Sequence, residues 1–183
     1  MEKMRLPKKP DSVINALRDA ILSGQIECGT ELTQMELAES LGVSRMPIRE
    51  ALIVLEYQGL VERLSNQHVR VAEINRAFFE NVFSLAGDIE RRILKDHLPD
   101  NSEAAEELAF HRALYRQAGN PFLRRILETV AESYIHYGMH CSGYDRSAAL
   151  SLLRRACAGD EADNALTEYY RRLTDIIMEA RNQ

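Results

Sequence analysis

No apolar run in the 183 residues approaches the ~18 consecutive residues that a membrane span requires, and the opening MEKMRLPKKP has no hydrophobic segment behind its charges. The expectation is a soluble, cytoplasmic chain without a membrane partner. Cysteine is scarce. Cys28, Cys141 and Cys157 are odd in number and form no C-x-x-C pair, which excludes a disulfide framework and a zinc knuckle and leaves three reduced structural thiols. Basic excess is lacking too: the formal net charge is −5, residues 1–72 carry 9 Lys/Arg against 10 Asp/Glu, and the remainder carries 14 against 18. Bulk electrostatics therefore gives no reason to expect nucleic acid, and any such role must rest on local cations. There is also no H-E-x-x-H, no nucleophile elbow and no glycine-rich phosphate loop. An enzyme is not expected; a metal-dependent one built around Glu107, His111, His136 and His140 is the remote alternative.

What is present is helical periodicity over a 45% hydrophobic chain, enough for a packed core. From Asp11, Ile14, Leu17 and Ile21 recur at spacings of three and four until Ser23-Gly24. Thr33-Gln34-Met35-Glu36 has the T-x-x-E form of a capping box and opens a second helix that stops at Gly42. Ser44 is placed to cap a third helix, and Pro47 falls in its first turn, where a missing N–H is harmless. Ile48, Ala51, Leu52 and Leu55 form its core stripe. Steps of 100° then put Arg45, Met46 and Arg49 together on the opposite face, near the N-terminal end. Residues 60–64 and 69–71 read as two strands joined by Ser65-Asn66-Gln67-His68. Two helices, a three-residue turn and a hairpin describe a winged helix-turn-helix.

After Ala72 the strand signals stop. Phe78, Val82, Leu85, Ile89 and Ile93 mark a long amphipathic helix. Further helices are expected over residues 103–117, over 122–140 with Leu123, Leu127, Val130 and Tyr134 on one side, over a short stretch ending near Gly159-Asp160, and over 163–181. The fold class is mainly α, with a winged helix-turn-helix DNA-binding domain over 1–73 and an all-α bundle over 74–183.

A recognition helix enters the major groove with its N-terminal residues, where arginine can meet guanine O6 and N7 or clamp a phosphate. The run LRDAILSGQIECGTELTQMELAESLGVSRMPIREALIVLEYQGLVERL resembles the DNA-binding domain of the GntR family of bacterial transcription regulators. The second half, with AFHRAL, Ala118-Gly119-Asn120-Pro121 and Ala158-Gly159-Asp160, resembles the helical FadR C-terminal domain (FCD) by which one branch of that family senses metabolites. The resemblance implies a regulator that reads a palindromic operator in double-stranded DNA as a homodimer and responds to a small organic acid. A shortened helical domain that only dimerises is the alternative. The resemblance also implies Arg45 and Arg49 as base or phosphate contacts, with Ser44, Met46, Pro47 and Thr33 around them and Gln67 and His68 at the wing tip. Met46, Cys28 and the Gln67-His68 pair depart from the family's usual threonine or serine, proline, and arginine-glycine at those places.

In that branch a carboxylate and three histidines hold a divalent metal that grips the ligand's carboxylate. Glu107 and His111, four apart on one helix face, fit the first two places. The other two are not evident. His136 and His140 could substitute, giving a zinc, nickel or manganese site. Otherwise no obligatory metal is held, and Arg171 or Arg172 binds the anionic ligand directly. The chain is also short between His97 and Glu107, which abbreviates the bundle.

Overall fold

A computed structural model describes residues 10–66, 68–97, 106–158 and 162–182. The chain divides into two compact units, Met1–Ile74 and Asn75–Gln183.

The first unit contains α1 (Pro10–Leu22), β1 (Glu31–Leu32), α2 (Gln34–Leu41), α3 (Arg45–Tyr57), β2 (Val61–Arg63) and β3 (Val69–Val71). The expected stripe of α3, Ile48, Ala51, Leu52 and Leu55, is buried, and α3 packs on α1, which buries Val13, Leu17, Ala20 and Ile21. The Thr33–Glu36 capping box forms as its spacing demands: Glu36 N–H donates to Thr33 Oγ1 at 3.2 Å, and Thr33 N–H donates to Glu36 Oε2 at 3.2 Å. Gly42 ends α2 with φ +66°, a conformation costly for any residue with a Cβ, and so sets the short turn into α3. Ser44 occupies the capping position of α3, yet its side chain makes no capping hydrogen bond.

The sheet has three antiparallel strands in the order β1-β3-β2, with Leu32 opposite Val69 and Val61 opposite Val71. β1 is two residues long, too short to show an alternation in sequence, and pairing with β3 is what makes it a strand. Val69 and Val71 point into the core while Arg70 between them points out and pairs with Glu31 across the ladder at 2.8 Å.

The second unit contains α4 (Arg76–Asp96), α5 (Glu107–Arg116), α6 (Pro121–Val130), a π-helical segment (Ala131–Ile135) continuing into α7 (His136–Gly138), α8 (Arg146–Ala156) and α9 (Ala162–Arg181). Asn75, Asn120 and Asp145 cap α4, α6 and α8, each accepting a backbone N–H with its side chain. α9 is packed against α4, α7 and α8. The Gly159-Asp160 pair lies outside the described residues, as does the stretch 98–105.

The buried face of α4 is not the one the hydrophobic spacing suggests. Phe79, Phe83, Ala86, Gly87, Glu90, Ile93 and Leu94 are buried, whereas Leu85 is exposed. The core side is rotated by one residue because a carboxylate, Glu90, sits in it. On the helical run that starts with α6, Leu127, Val130 and Tyr134 are buried as their spacing implies, and Leu123 is half-buried.

Gly138 marks the close approach of α7 to α9: a Cβ there would lie 2.3 Å from Leu173 Cδ1 and 3.1 Å from Leu173 Cγ. Leu173 is itself buried and cannot swing into solvent. Gly138→Ala is therefore expected to destabilise the chain by ~1–3 kcal/mol, read as a lowered midpoint in urea. An unchanged midpoint would mean that α7 and α9 are less tightly apposed.

Candidate functional site

Arg45 and Arg49 stand exposed one turn apart at the start of α3, with Ser44 and Met46 exposed beside them and Pro47 half-buried. Among the described residues neither arginine makes an ion pair or a hydrogen bond. The other described cations of the unit are committed, Arg18 to Asn15 at 2.7 Å among them. Arg63 binds Glu56 at 2.7 Å and Arg70 binds Glu31 at 2.8 Å. The first turn of α3 contains no acidic residue, so the partial positive charge of the helix end adds to the two guanidinium groups.

The other residues expected at this face divide. The hydroxyl of Thr33 is held by Glu36 Oε2 at 2.8 Å within the capping box, so its evident work is to start α2. At the wing, His68 donates its backbone N–H to Asn66 Oδ1 at 3.1 Å, and its ring Nδ1 lies 3.2 Å from Asn66 Nδ2. Gln67 lies outside the described residues, as do Lys3, Arg5, Lys8 and Lys9.

The second site is a polar cluster inside the helical unit. Glu90 of α4 and Glu107 and His111 of α5 are fully buried, 0% exposed. Glu90 Oε1 lies 2.8 Å from His111 Nδ1 and accepts from the Tyr115 hydroxyl at 2.7 Å, while Oε2 accepts from Tyr170 at 2.8 Å. Two phenol donors and, in the tautomer with its hydrogen on Nδ1, His111 meet this buried carboxylate. Glu107 accepts from the hydroxyls of Tyr144 and Tyr169, and Tyr169 Oη lies 3.2 Å from His111 Nε2. Tyr169 thus bridges the two residues expected to share a metal.

Protons follow from burial. Desolvation raises the Glu107 carboxyl above its ordinary range, against the opposing effects of the Tyr169 hydrogen bond, His111 and Arg146. Burial, with the charges of Glu90 and Glu107 next, holds Tyr115, Tyr169 and Tyr170 well above ordinary phenols, so they remain donors. A phenol has one proton to give. Either Tyr169 gives it to Glu107 and His111 Nε2 donates to the phenol oxygen, or Glu107 holds the proton and Tyr169 donates to His111.

The model for bacterial regulatory proteins of the gntR family matches residues 9–71. Residues 9–71 place the N-terminal unit in the gntR family. An uncharacterized HTH-type transcriptional regulator of Mycobacterium tuberculosis is 39% identical over 69 residues, 38% of this chain and 27% of its own length. The gluconate operon transcriptional repressor of Bacillus licheniformis is 30% identical over 150 residues, 67% of this chain and 62% of that protein. The chain thus spans about a quarter of the Mycobacterium relative and under two thirds of the Bacillus repressor.

Among solved structures, that of Lar, which controls the expression of the Listeria monocytogenes agr system and mediates virulence, superposes with a TM-score of 0.65 at 17% identity, covering 96% of this chain and 99% of that one. A putative transcriptional regulator GntR from Rhodococcus sp. RHA1 gives 0.58 at 20% identity, covering 95% and 99%. At these identities the likeness is one of fold: mainly helical, with an N-terminal helix-turn-helix. The relatives are transcription regulators, not enzymes. No helix of the described residues is long and apolar enough to cross a membrane.

Among the described residues the expected metal set does not assemble. Glu107 and His111 come together, but a phenol oxygen joins them. His136 and His140 pair with each other instead, ring centroids 4.5 Å apart, with His140 Nδ1 2.8 Å from the His136 carbonyl. Among the described residues no three His, Cys, Asp or Glu side chains are grouped to hold an ion. The residues present do not fit the implied metal.

Arg171 and Arg172 are also placed otherwise than expected. Both are exposed on α9: Arg171 forks onto Glu168 at 2.8 and 2.9 Å and reaches Asp175 at 2.8 Å, while Arg172 meets Glu168 at 2.6 Å. The hydrogen bonds from these two arginines hold the Glu168 carboxyl down at about 2. Beside the cluster, a cavity of about 300 Å³ is lined by Tyr144, Tyr169 and Arg172, whereas Arg171 lines a different cleft of about 190 Å³ with Arg76 and Arg91.

The sequence reading missed Glu90, Tyr115, Tyr144, Tyr169 and Tyr170. The available signal was a carboxylate in step with Phe79, Phe83 and Ala86, which implies a buried acid that needs donors.

Two outcomes follow. A raised carboxyl pKa means that the Glu107 contribution to stability is complete below the ordinary 4.5 and is lost as pH rises through the raised value. Glu107→Gln keeps an acceptor for the phenols and removes the titration. The melting temperature of the variant relative to the parent should therefore increase from pH 4.5 towards neutrality; a flat or falling difference contradicts this. Elemental analysis of untagged protein should find divalent metal far below one per chain, whereas near-stoichiometric zinc, nickel or manganese lost in His111→Ala would overturn the misfit.

Proposed function

We propose that this chain is a bacterial transcription regulator of the gntR family that reads a palindromic operator as a homodimer and responds to a small molecule held in its helical unit. The observation that carries the DNA reading is the pair of uncommitted arginines at the start of α3. A cation with no partner is available to a phosphate or a guanine, whereas Arg63 and Arg70 would first have to leave a carboxylate. Ser44, Met46 and Pro47 share that helix start and are proposed to approach the same groove. Gln67 and His68 are assigned the wing contact. Twofold pairing is expected because one small reading head supplies little specificity, and two heads on one palindrome multiply it. The proposed division of labour is DNA reading in residues 1–73 and sensing and dimerisation in 74–183, the latter by resemblance to the FCD branch.

The runner-up is a helical unit that only dimerises. The 300 Å³ cavity beside a polar cluster favours the sensor, since a unit that only pairs has no need of such a space. The organic acid expected from resemblance is poorly served there, because Arg171 and Arg172 are both tied to Glu168.

The test uses an operator selected from a random duplex pool. Arg45→Ala and Arg49→Ala should each weaken binding by ~1–3 kcal/mol where they meet base edges, or weaken every sequence alike and flatten the salt dependence where they meet phosphate. Unchanged affinity in both variants removes α3 as the reading element. In sedimentation the protein should be a dimer; a monomer bound to half an operator would sink the palindrome.

A further inference from the structure

We infer that the cavity beside Glu107 takes an uncharged, largely apolar small molecule carrying one hydroxyl, which donates to the oxygen of Tyr144, rather than an organic acid. The inference rests on the sensor reading above and names its ligand class. Five walls, Ala148, Ala149, Leu152, Leu173 and Ile176, are apolar, and 300 Å³ lies at the small end of ligand pockets.

Three charged residues line the cavity, and each is already engaged. Asp145 caps α8 by accepting from Ala148 N–H at 3.0 Å. Asp175 pairs with Arg76 at 2.7 Å and with Arg171 at 2.8 Å. Arg172 is held by Glu168 at 2.6 Å. Two carboxylates against one guanidinium, itself paired with Glu168, leave the lining without net positive charge for an anion.

The polar floor decides between acid and alcohol. Tyr144 directs its hydroxyl hydrogen at Glu107 and the Tyr169 hydroxyl is shared between Glu107 and His111, while the buried Glu107 carboxyl already suffers from lost hydration. A ligand carboxylate would bring a further negative charge to that dry wall. It would also find acceptors there, because the phenol hydrogens are taken. A hydroxyl is the complementary group: Tyr144 is half-buried, and its oxygen keeps a lone pair after its hydrogen is given to Glu107. An ammonium would give up its water for apolar walls while both oxygens of Glu107 are already hydrogen-bonded to phenols.

The experiment measures binding to the whole chain, without DNA, by calorimetry and ligand-observed NMR. The probes are matched series on one ring: benzyl alcohol, benzoate and benzylamine, and their naphthyl counterparts. In at least one series the alcohol should bind about tenfold or more tightly than the acid and the amine. Tyr144→Phe should weaken the alcohol about tenfold while leaving toluene or methylnaphthalene unaffected. Ala148→Leu, at a half-buried wall position, should abolish alcohol binding with the melting transition retained.

An acid or amine that binds as well as the alcohol overturns the inference, as does failure of every probe in both series. So does an alcohol indifferent to Tyr144→Phe. An alcohol that binds as described but leaves operator affinity unchanged upholds the ligand class and sinks the sensor reading instead, which separates the two.

Discussion

Two carboxylates removed from the solvent-accessible surface fix the architecture of the helical unit. Glu90 and Glu107 are fully buried, and an unpaired carboxylate in such a place costs several kcal/mol, so each must be met by donors from elsewhere in the chain. The partners come from three elements: His111 and Tyr115 from α5, Tyr169 and Tyr170 from α9, and Tyr144 from the segment before α8. α4, α5 and α9 therefore have one mutual register, because a slip by a single residue in any of them would strand a charge. The stacking of Phe83 on Tyr170, centroids 5.1 Å apart, joins that network to the apolar core.

The DNA-reading unit follows a different logic, and most of it was legible in the sequence. Its stripe Ile48, Ala51, Leu52 and Leu55 is a plain helical repeat, its capping box is a four-residue pattern, and Gly42 is a stop that needs φ above zero. Each is a local rule, and local rules can be read locally. β1 was not legible, because two residues become a strand only through their partner Val69–Val71.

The helical unit defeated the reading where its polar core overrides hydrophobicity. The stripe Phe78, Val82, Leu85, Ile89 treats acids as outward-facing, yet Glu90 is inside and Leu85 is out. The pairing of Glu107 with His111 was legible from an i, i+4 spacing. That a tyrosine 58 residues further on would stand between them was not, because it depends on how α9 crosses α5. His136 and His140 satisfied the same spacing rule and pack against each other, outside any group of ligands among the described residues, so the spacing alone is insufficient for convergence on a shared ion.

The Tyr169 hydroxyl joins Glu107 to His111 and so to the rest of the buried network. A double-mutant cycle in urea with Tyr169→Phe and Glu107→Leu tests it most directly. Either change alone leaves a buried polar group without its partner, whereas the pair removes both. The account predicts a coupling of ~1–3 kcal/mol, the double variant being more stable than the sum of the singles implies. Additivity within about 0.5 kcal/mol would show that the two groups do not depend on each other and would contradict the account.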